Sequence, residues 1–261
     1  MRTVTSRDGT TIAFDRLGSG PPVVLIGGGP TDRSANAPLA ELLAARLTVL
    51  NYDRRGRGGS GDTPPYAVER EVEDLGALIE DAGGSAAVYG TSSGGVFALE
   101  AAARGLPITR LALWEPPFIV DRSRPPVPAD YKQRLAEMVA GDRRGDAIEY
   151  FLTVMVGLPP EFVAPMRQAP FWASMEQAAH ALVYEADVMG DYSLPAGRVA
   201  SVKVPTLVLD GGTAPWLSHA ADAVADALPN ARRRTLAGQP HNVAHDAIAP
   251  ALADFFTEQQ P

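Results

Sequence analysis

Short, mostly apolar runs without polar alternation recur at residues 23–26, 47–50, 86–89 and 111–114, with Thr48 the one polar residue among them. A strand of that kind must be covered on both faces, which a parallel sheet between layers of helices provides. Stretches with helical spacing lie between the runs. Residues 66–81 place Val68, Val72, Leu75, Leu78 and Ile79 on one face, residues 38–46 and 96–104 are also helical, and Gly105 stops the last of these. The alternation predicts a mainly parallel sheet flanked by helices. Ahead of it, residues 3–6 and 10–17 flank Asp8-Gly9, a favoured hairpin turn.

The rhythm fails between residues 119 and 195, where prolines are frequent and no strand is evident. Helices are expected there at 130–139, 146–156 and 171–187. The α/β pattern resumes with a strand at 204–209, a helix at 217–228, a strand at 232–236 and a final helix at 248–256. The expected organisation is an α/β core made of residues 1–118 and 199–261, interrupted by a helical cap at 119–198.

Composition narrows the chemistry open to such a fold. The chain has no cysteine, which excludes disulfides, thiolate zinc sites and a cysteine nucleophile. A formal net charge of −8 repels phosphate backbones, so nucleic acid is not an expected partner. The basic runs Arg54-Arg55 and Arg232-Arg233-Arg234 each read as a solvated loop or strand edge. The first residues lack the apolar stretch of a signal peptide, and no apolar run approaches the length of a membrane span. A cytoplasmic protein without a membrane partner is expected, and the abundance of Ala, Gly, Arg and Pro points to a GC-rich bacterial genome.

The segment Gly90-Thr91-Ser92-Ser93-Gly94 fits G-x-S-x-G, with an apolar strand before it and a helix after it. In that context the serine occupies a sharp strand-to-helix turn, flanked by small residues because the two backbones crowd together. Its hydroxyl would project from the carboxyl end of the sheet, where clefts form. Ser93 opens the helix, so its N–H is a candidate oxyanion donor. Gly27-Gly28-Gly29-Pro30 follows the first apolar strand and suits a second donor, for which Gly29 is the choice. That loop matches neither a phosphate loop nor the nicotinamide fingerprint. With no His-Glu-x-x-His and no compact His/carboxylate grouping, neither a metal nor a cofactor is expected.

These motifs resemble the α/β-hydrolase superfamily, especially its small esterase-like members with a helical cap. Asp53-Arg54-Arg55-Gly56-Arg57-Gly58-Gly59-Ser60 resembles the D-x-R-G-x-G-x-S loop of that superfamily, and Gly238-Gln239-Pro240-His241 its late histidine loop. The resemblance implies Ser92 as nucleophile and His241 as general base, while His180, His219 and His245 read as structural. The usual position of the acid, in Asp210-Gly211-Gly212-Thr213-Ala214-Pro215-Trp216, holds Ala214. Some relatives place the acid after the preceding core strand, which here means Glu115; Asp210 is the reserve. Gly27 in place of the usual histidine of the oxyanion loop, and Thr91 before the serine, are further departures.

The expected activity is hydrolysis of a small or medium apolar ester, lactone or thioester through an acyl-enzyme. Phe118, Phe151, Trp172 and Trp216 are the candidate pocket residues, since ligand pockets are mostly apolar. A serine, rather than an aspartate, at position 92 argues against dehalogenase and epoxide hydrolase chemistry. The same pocket also suits a cyclase, lyase or acyl transferase of secondary metabolism, or a small-molecule-binding protein without catalysis. The expected partner is a small-molecule substrate, and a homodimer is left open.

Overall fold

The computed structural model describes residues 1–258. Two antiparallel strands, β1 (Arg2–Thr5) and β2 (Thr11–Leu17), open the chain on either side of the Asp8-Gly9 turn. There follow β3 (Pro22–Ile26), α1 (Ala37–Leu43), β4 (Thr48–Tyr52), α2 (Val68–Asp81), β5 (Ala86–Thr91), α3 (Ser93–Ala103) and β6 (Ile108–Trp114). After a helical segment come β7 (Thr206–Gly212), α10 (Pro215–Ala227), β8 (Ala231–Gln239) and α11 (His245–Thr257). The eight strands form one sheet in the order β1-β2-β4-β3-β5-β6-β7-β8. It is parallel from β4 to β8, and the antiparallel pairs are confined to β1–β2 and β2–β4.

The apolar strands are buried because both faces are covered. Leu39, Ala40 and Leu43 of α1 pack with Ile248, Leu252 and Phe256 of α11 against Val23, Leu25, Ala112 and Trp114. On the other face α2, α3 and α10 cover Val24, Ile26, Val88, Leu111 and Val208. The alternation along each strand thus divides one apolar run between two cores.

Between β6 and β7 lie α4 (Tyr131–Ala140), α5 (Arg144–Tyr150), α6 (Pro160–Met166), α7 (Trp172–Gln177), α8 (Ala181–Met189) and α9 (Ala196–Val199). The expected helix at 146–156 is divided: α5 ends at Tyr150 and a π-helical turn covers Phe151–Val156. Thr153 bends back there, its hydroxyl donating to the Glu149 carbonyl at 2.8 Å. The expected helix at 171–187 is broken at Ala178–His180, which lets α7 and α8 each bury an apolar face. The helix α6 was hidden by prolines, yet Pro160 takes the first helical turn, where a missing N–H costs nothing.

The reading of Arg54-Arg55 as solvated is corrected by the structure. Both side chains are buried, because each meets carboxylates supplied by other elements. Arg55 forms two bonds of 2.7 Å to Asp74 on α2 and one of 3.0 Å to Asp8 in the first turn. Arg54 binds Glu71 on α2 bidentately at 3.0 and 2.9 Å and also reaches Glu185 on α8. Arg57 joins Glu185 as well, and Tyr66 donates to Glu71 at 2.7 Å. Arg232–Arg234 do lie on the edge strand β8, as read.

Breaking such a pair strands the surviving charge away from water. Arg55→Ala is expected to lower the unfolding free energy by about 3–5 kcal/mol, because Asp74 and Asp8 lose their shared guanidinium. Chemical denaturation checks this, and a loss within the range of an exposed pair, below about 1 kcal/mol, would contradict it.

Candidate active site

Ser92 sits between β5 and α3 with φ 55° and ψ −130°, a backbone conformation that L-residues rarely adopt. The crowding that favours it is measurable. A Cβ on Gly90 would lie 2.5 Å from the Gly94 carbonyl oxygen, and one on Gly94 would lie 2.7 Å from the Gly27 carbonyl oxygen. Only glycine lets the strand, the helix and the loop after β3 meet so closely. The Ser92 N–H donates to the Trp114 carbonyl at 2.8 Å, and the Ser92 carbonyl accepts from Gly95 at 2.8 Å. The turn is thereby fixed to the neighbouring strand and to its own helix.

Glu115 follows β6, the strand next to β5, and it too has positive φ, 44°. Its N–H donates to the Leu209 carbonyl at 3.0 Å, and its Oε1 accepts from Gly211 N–H at 2.9 Å. The other oxygen, Oε2, lies 2.7 Å from His241 Nδ1. His241 Nε2 is in turn 3.1 Å from Ser92 Oγ. The histidine follows β8, and the Trp114 indole N–H donates to its carbonyl at 2.8 Å. Ser92, His241 and Glu115 therefore form one hydrogen-bonded line, with the carboxylate fully buried and the imidazole partly open.

Asp210 stands apart from this line. Its carboxylate accepts from Gly212 N–H at 3.1 Å, from the Ser218 hydroxyl, and from Arg233 at 2.8 Å. Burial acts to raise its pKa, but the Arg233 guanidinium and the hydroxyls of Ser218 and Thr235 outweigh it and hold the carboxyl down at about 2. Ala214, at the position where an acid is usual, lines the cavity beside Ser92 instead.

Gly29 and Ser93 both line the cavity at Ser92, and they bond to each other: the Gly29 N–H donates to Ser93 Oγ at 2.9 Å. Arg57 Nε–H donates to the Gly29 carbonyl at 3.2 Å, so the buried arginine cluster holds the glycine loop. A cavity of about 270 Å³ opens over Ser92 and His241. Phe151, Met155 and Val156 of the π-helical turn form part of its wall, with Tyr131, Tyr192, Trp216 and Glu185.

Two expected pocket residues lie elsewhere. Trp172 is buried within the helical segment, where its indole N–H donates to Glu176 at 2.9 Å and Arg167 stacks on the ring. Phe118 turns away because its N–H bends back to the Pro116 carbonyl; its ring lines a depression shared with Val96 and Leu99 of α3, and Pro117 reaches the cavity in its place. Phe151 and Trp216 do line the cavity, Trp216 beneath the Arg124 guanidinium. His219 pairs with Asp121 at 2.6 Å, His180 lies 3.6 Å from Asp62, and His245 begins α11. Among the described residues no group of three or more His, Cys, Asp or Glu side chains is arranged to hold a metal ion, and no helix is long and apolar enough to cross a membrane.

Sequence reasoning missed Glu185, Arg54 and Arg57. A signal was present: Glu185 interrupts the stripe Ala181, Leu182, Ala186, Met189 on the buried face of α8, and Glu71 does the same beside Leu75 on α2. Acids on apolar faces call for buried cations.

The sheet order, the turn at Ser92 and its hydrogen-bonded line define an α/β hydrolase. The model of the alpha/beta hydrolase family matches residues 23–253, and the chain belongs to that family. It is 60% identical to an alpha/beta hydrolase from Sphaerobacter thermophilus DSM 20745, whose crystal structure superposes with a TM-score of 0.94 over 98% of this chain and 100% of that one. The enol-lactonase from Burkholderia xenovorans LB400 is 25% identical, with a TM-score of 0.70 over 98% and 100% of the two chains. The uncharacterized hydrolase YraK of Bacillus subtilis (strain 168) is 35% identical over 96 residues, a match that spans 35% of either protein.

The position of Asp210 outside the line makes its role separable. A carboxyl whose folded pKa is depressed adds stability that is present above its ordinary value of 3.8 and is lost as pH falls towards about 2. Asp210→Asn is therefore expected to destabilise the fold by about 2 kcal/mol at neutral pH. The difference from wild type should shrink between those two pH values in denaturation experiments. A difference that stays constant with pH would contradict the ion-paired role.

Proposed function

We propose that this protein is a serine hydrolase that cleaves a small or medium apolar ester, lactone or thioester through an acyl-enzyme. The observation that carries this reading is the line Ser92 Oγ–His241–Glu115, with distances of 3.1 and 2.7 Å. A serine hydroxyl is a poor nucleophile until an adjacent imidazole takes its proton. In the proposed first step Ser92 Oγ attacks the substrate carbonyl while His241 Nε2 accepts the hydroxyl proton. Glu115 keeps the Nδ1 proton in place and balances the imidazolium charge. The tetrahedral oxyanion takes hydrogen bonds from the Ser93 N–H, at the start of α3, and from the Gly29 N–H, which shifts to it from Ser93 Oγ. Each such donor is worth roughly a hundredfold or more in rate. The intermediate then collapses: His241 returns the proton to the leaving alcohol or thiol, and the acyl group stays on Ser92. Water attacks the acyl-enzyme with His241 again as base, which releases the acid.

The acid role goes to Glu115 rather than Asp210, since Asp210 is already committed to Arg233, Ser218 and Gly212. The mainly apolar wall of Phe151, Met155, Val156, Leu158, Met189 and Trp216 favours an apolar substrate. We assign residues 119–198 as the cap over this cavity. The likeness to the lactonase fits a carboxylic ester or lactone.

Hydrolysis of p-nitrophenyl esters of increasing acyl length tests the proposal. Ser92→Ala is expected to abolish turnover, and Glu115→Gln to cut kcat by about a thousandfold or more. Asp210→Asn should retain kcat within a few-fold. Full activity in Ser92→Ala would overturn the nucleophile, and loss of kcat in folded Asp210→Asn but not in Glu115→Gln would move the acid role to Asp210.

A further inference from the structure

Among the residues that line the mainly apolar cavity over Ser92, Glu185 on α8 is the one carboxylate, and it is buried. Its two oxygens are treated unequally. Oε1 accepts from both Arg54 and Arg57, and so ties α8 to the loop after β4. Oε2 is buried and has no hydrogen-bond partner. The clamp between α8 and the core accounts for the first oxygen and leaves the second unused. A buried carboxylate oxygen without a donor is costly, and such atoms in native proteins call for an explanation.

The charge balance around it restricts what can serve. Arg54 and Arg57 face Glu71 and Glu185, two cations against two anions, all buried. A cationic group at Oε2 would bring a further charge into this cluster and lose its own hydration. A neutral donor completes the acceptor without that cost. Tyr131 and Tyr192 line the same cavity, and burial pushes both phenols up, so they too remain neutral.

We infer that Glu185 Oε2 is a recognition point for an alcohol hydroxyl on the substrate, so that the ester or lactone taken by this cavity carries a hydroxyl in an otherwise apolar chain. The inference rests on the hydrolase reading of the cavity but adds a specificity-determining residue to it. Glu185 selects by contact with the substrate and takes no part in bond cleavage. A chain bearing the hydroxyl gains a bond to an ionised acceptor, while a chain with methylene there leaves Oε2 unpaired.

The test uses three matched ester series, with a methylene, a hydroxyl or a methoxy group moved along the chain, placed in the acyl half and then in the alcohol half. A methoxy oxygen accepts but cannot donate. Wild-type protein is expected to prefer the best-placed hydroxyl over both controls by roughly ten- to a hundredfold in kcat/KM. Calorimetric binding of the same esters to Ser92→Ala reads the preference without turnover. Glu185→Gln turns an acceptor into an amide whose oxygen is claimed by the arginines and whose N–H₂ can donate to hydroxyl and methoxy alike. The hydroxyl-to-methoxy ratio should therefore collapse to within about threefold. If that variant does not fold, Glu185→Asp keeps the charge, withdraws the oxygen by one methylene and should show the same collapse. Equal binding of the three series by Ser92→Ala, or an undiminished ratio in folded Glu185→Gln or Glu185→Asp, would overturn the inference. Hydrolysis of the plain esters would in that case leave the hydrolase reading standing. A hydroxyl preference in binding, with no turnover of any ester by wild type, would support Glu185 and sink the hydrolase reading.

Discussion

The crossing of β5 and α3 at Ser92 is the constraint on which the rest of the site depends. The two backbones approach so closely that a Cβ at Gly90 would lie 2.5 Å from the Gly94 carbonyl oxygen, and α3 in turn lies so close to the loop after β3 that a Cβ at Gly94 would lie 2.7 Å from the Gly27 carbonyl oxygen. That approach holds Ser92 at a φ of 55°, a conformation costing roughly 1–3 kcal/mol. The cost is offset by hydrogen bonds from the turn to Trp114 and Gly95 and by the surrounding core. A relaxed serine would lie back along the strand, away from the imidazole. Glu115 repeats the device one strand over: φ is again positive, and neighbouring backbone holds the carboxylate against His241.

The buried arginines connect this turn to the helices between β6 and β7. Arg54 and Arg57 lie between Glu71 on α2 and Glu185 on α8, and Arg57 also holds the Gly29 carbonyl. One ionic cluster thereby fixes the glycine loop, the sheet and the helical segment relative to each other. Buried charges add little net stability against an apolar alternative, but removing one member is expensive. The cluster therefore acts more as a positional lock than as a source of stability. The same lock brings an acid to the cavity wall, where apolar residues otherwise prevail.

The sheet and the turn were legible because local physics governs them. Runs such as residues 23–26 and 86–89 are apolar throughout, and only a doubly covered strand tolerates that. Gly90-Thr91-Ser92-Ser93-Gly94 announces a close backbone crossing by its small residues alone. The helices at 119–198 were less legible. A π-helical turn at Phe151 and a break at Ala178 depend on tertiary packing and leave no breaker residue in the sequence. The burial of Arg54 and Arg57 was missed for a different reason. Glu71 and Glu185 mark themselves as acids on apolar helix faces, but which cations they meet is set by tertiary packing, and Glu185 lies more than a hundred residues from both arginines. Phe118 and Trp172 were expected at the cavity by residue type, but facing is set by Pro116 and by Glu176, which type does not encode.

The central claim is that the line through His241 makes Ser92 a nucleophile. Intact-protein mass after exposure to a fluorophosphonate probe addresses it directly, with wild type, Ser92→Ala and Glu115→Gln compared at equal probe concentration. The account predicts one adduct per wild-type chain, none on Ser92→Ala, and labelling of Glu115→Gln slowed by about a hundredfold or more. An unlabelled wild type, or equal labelling of wild type and Ser92→Ala, would contradict it.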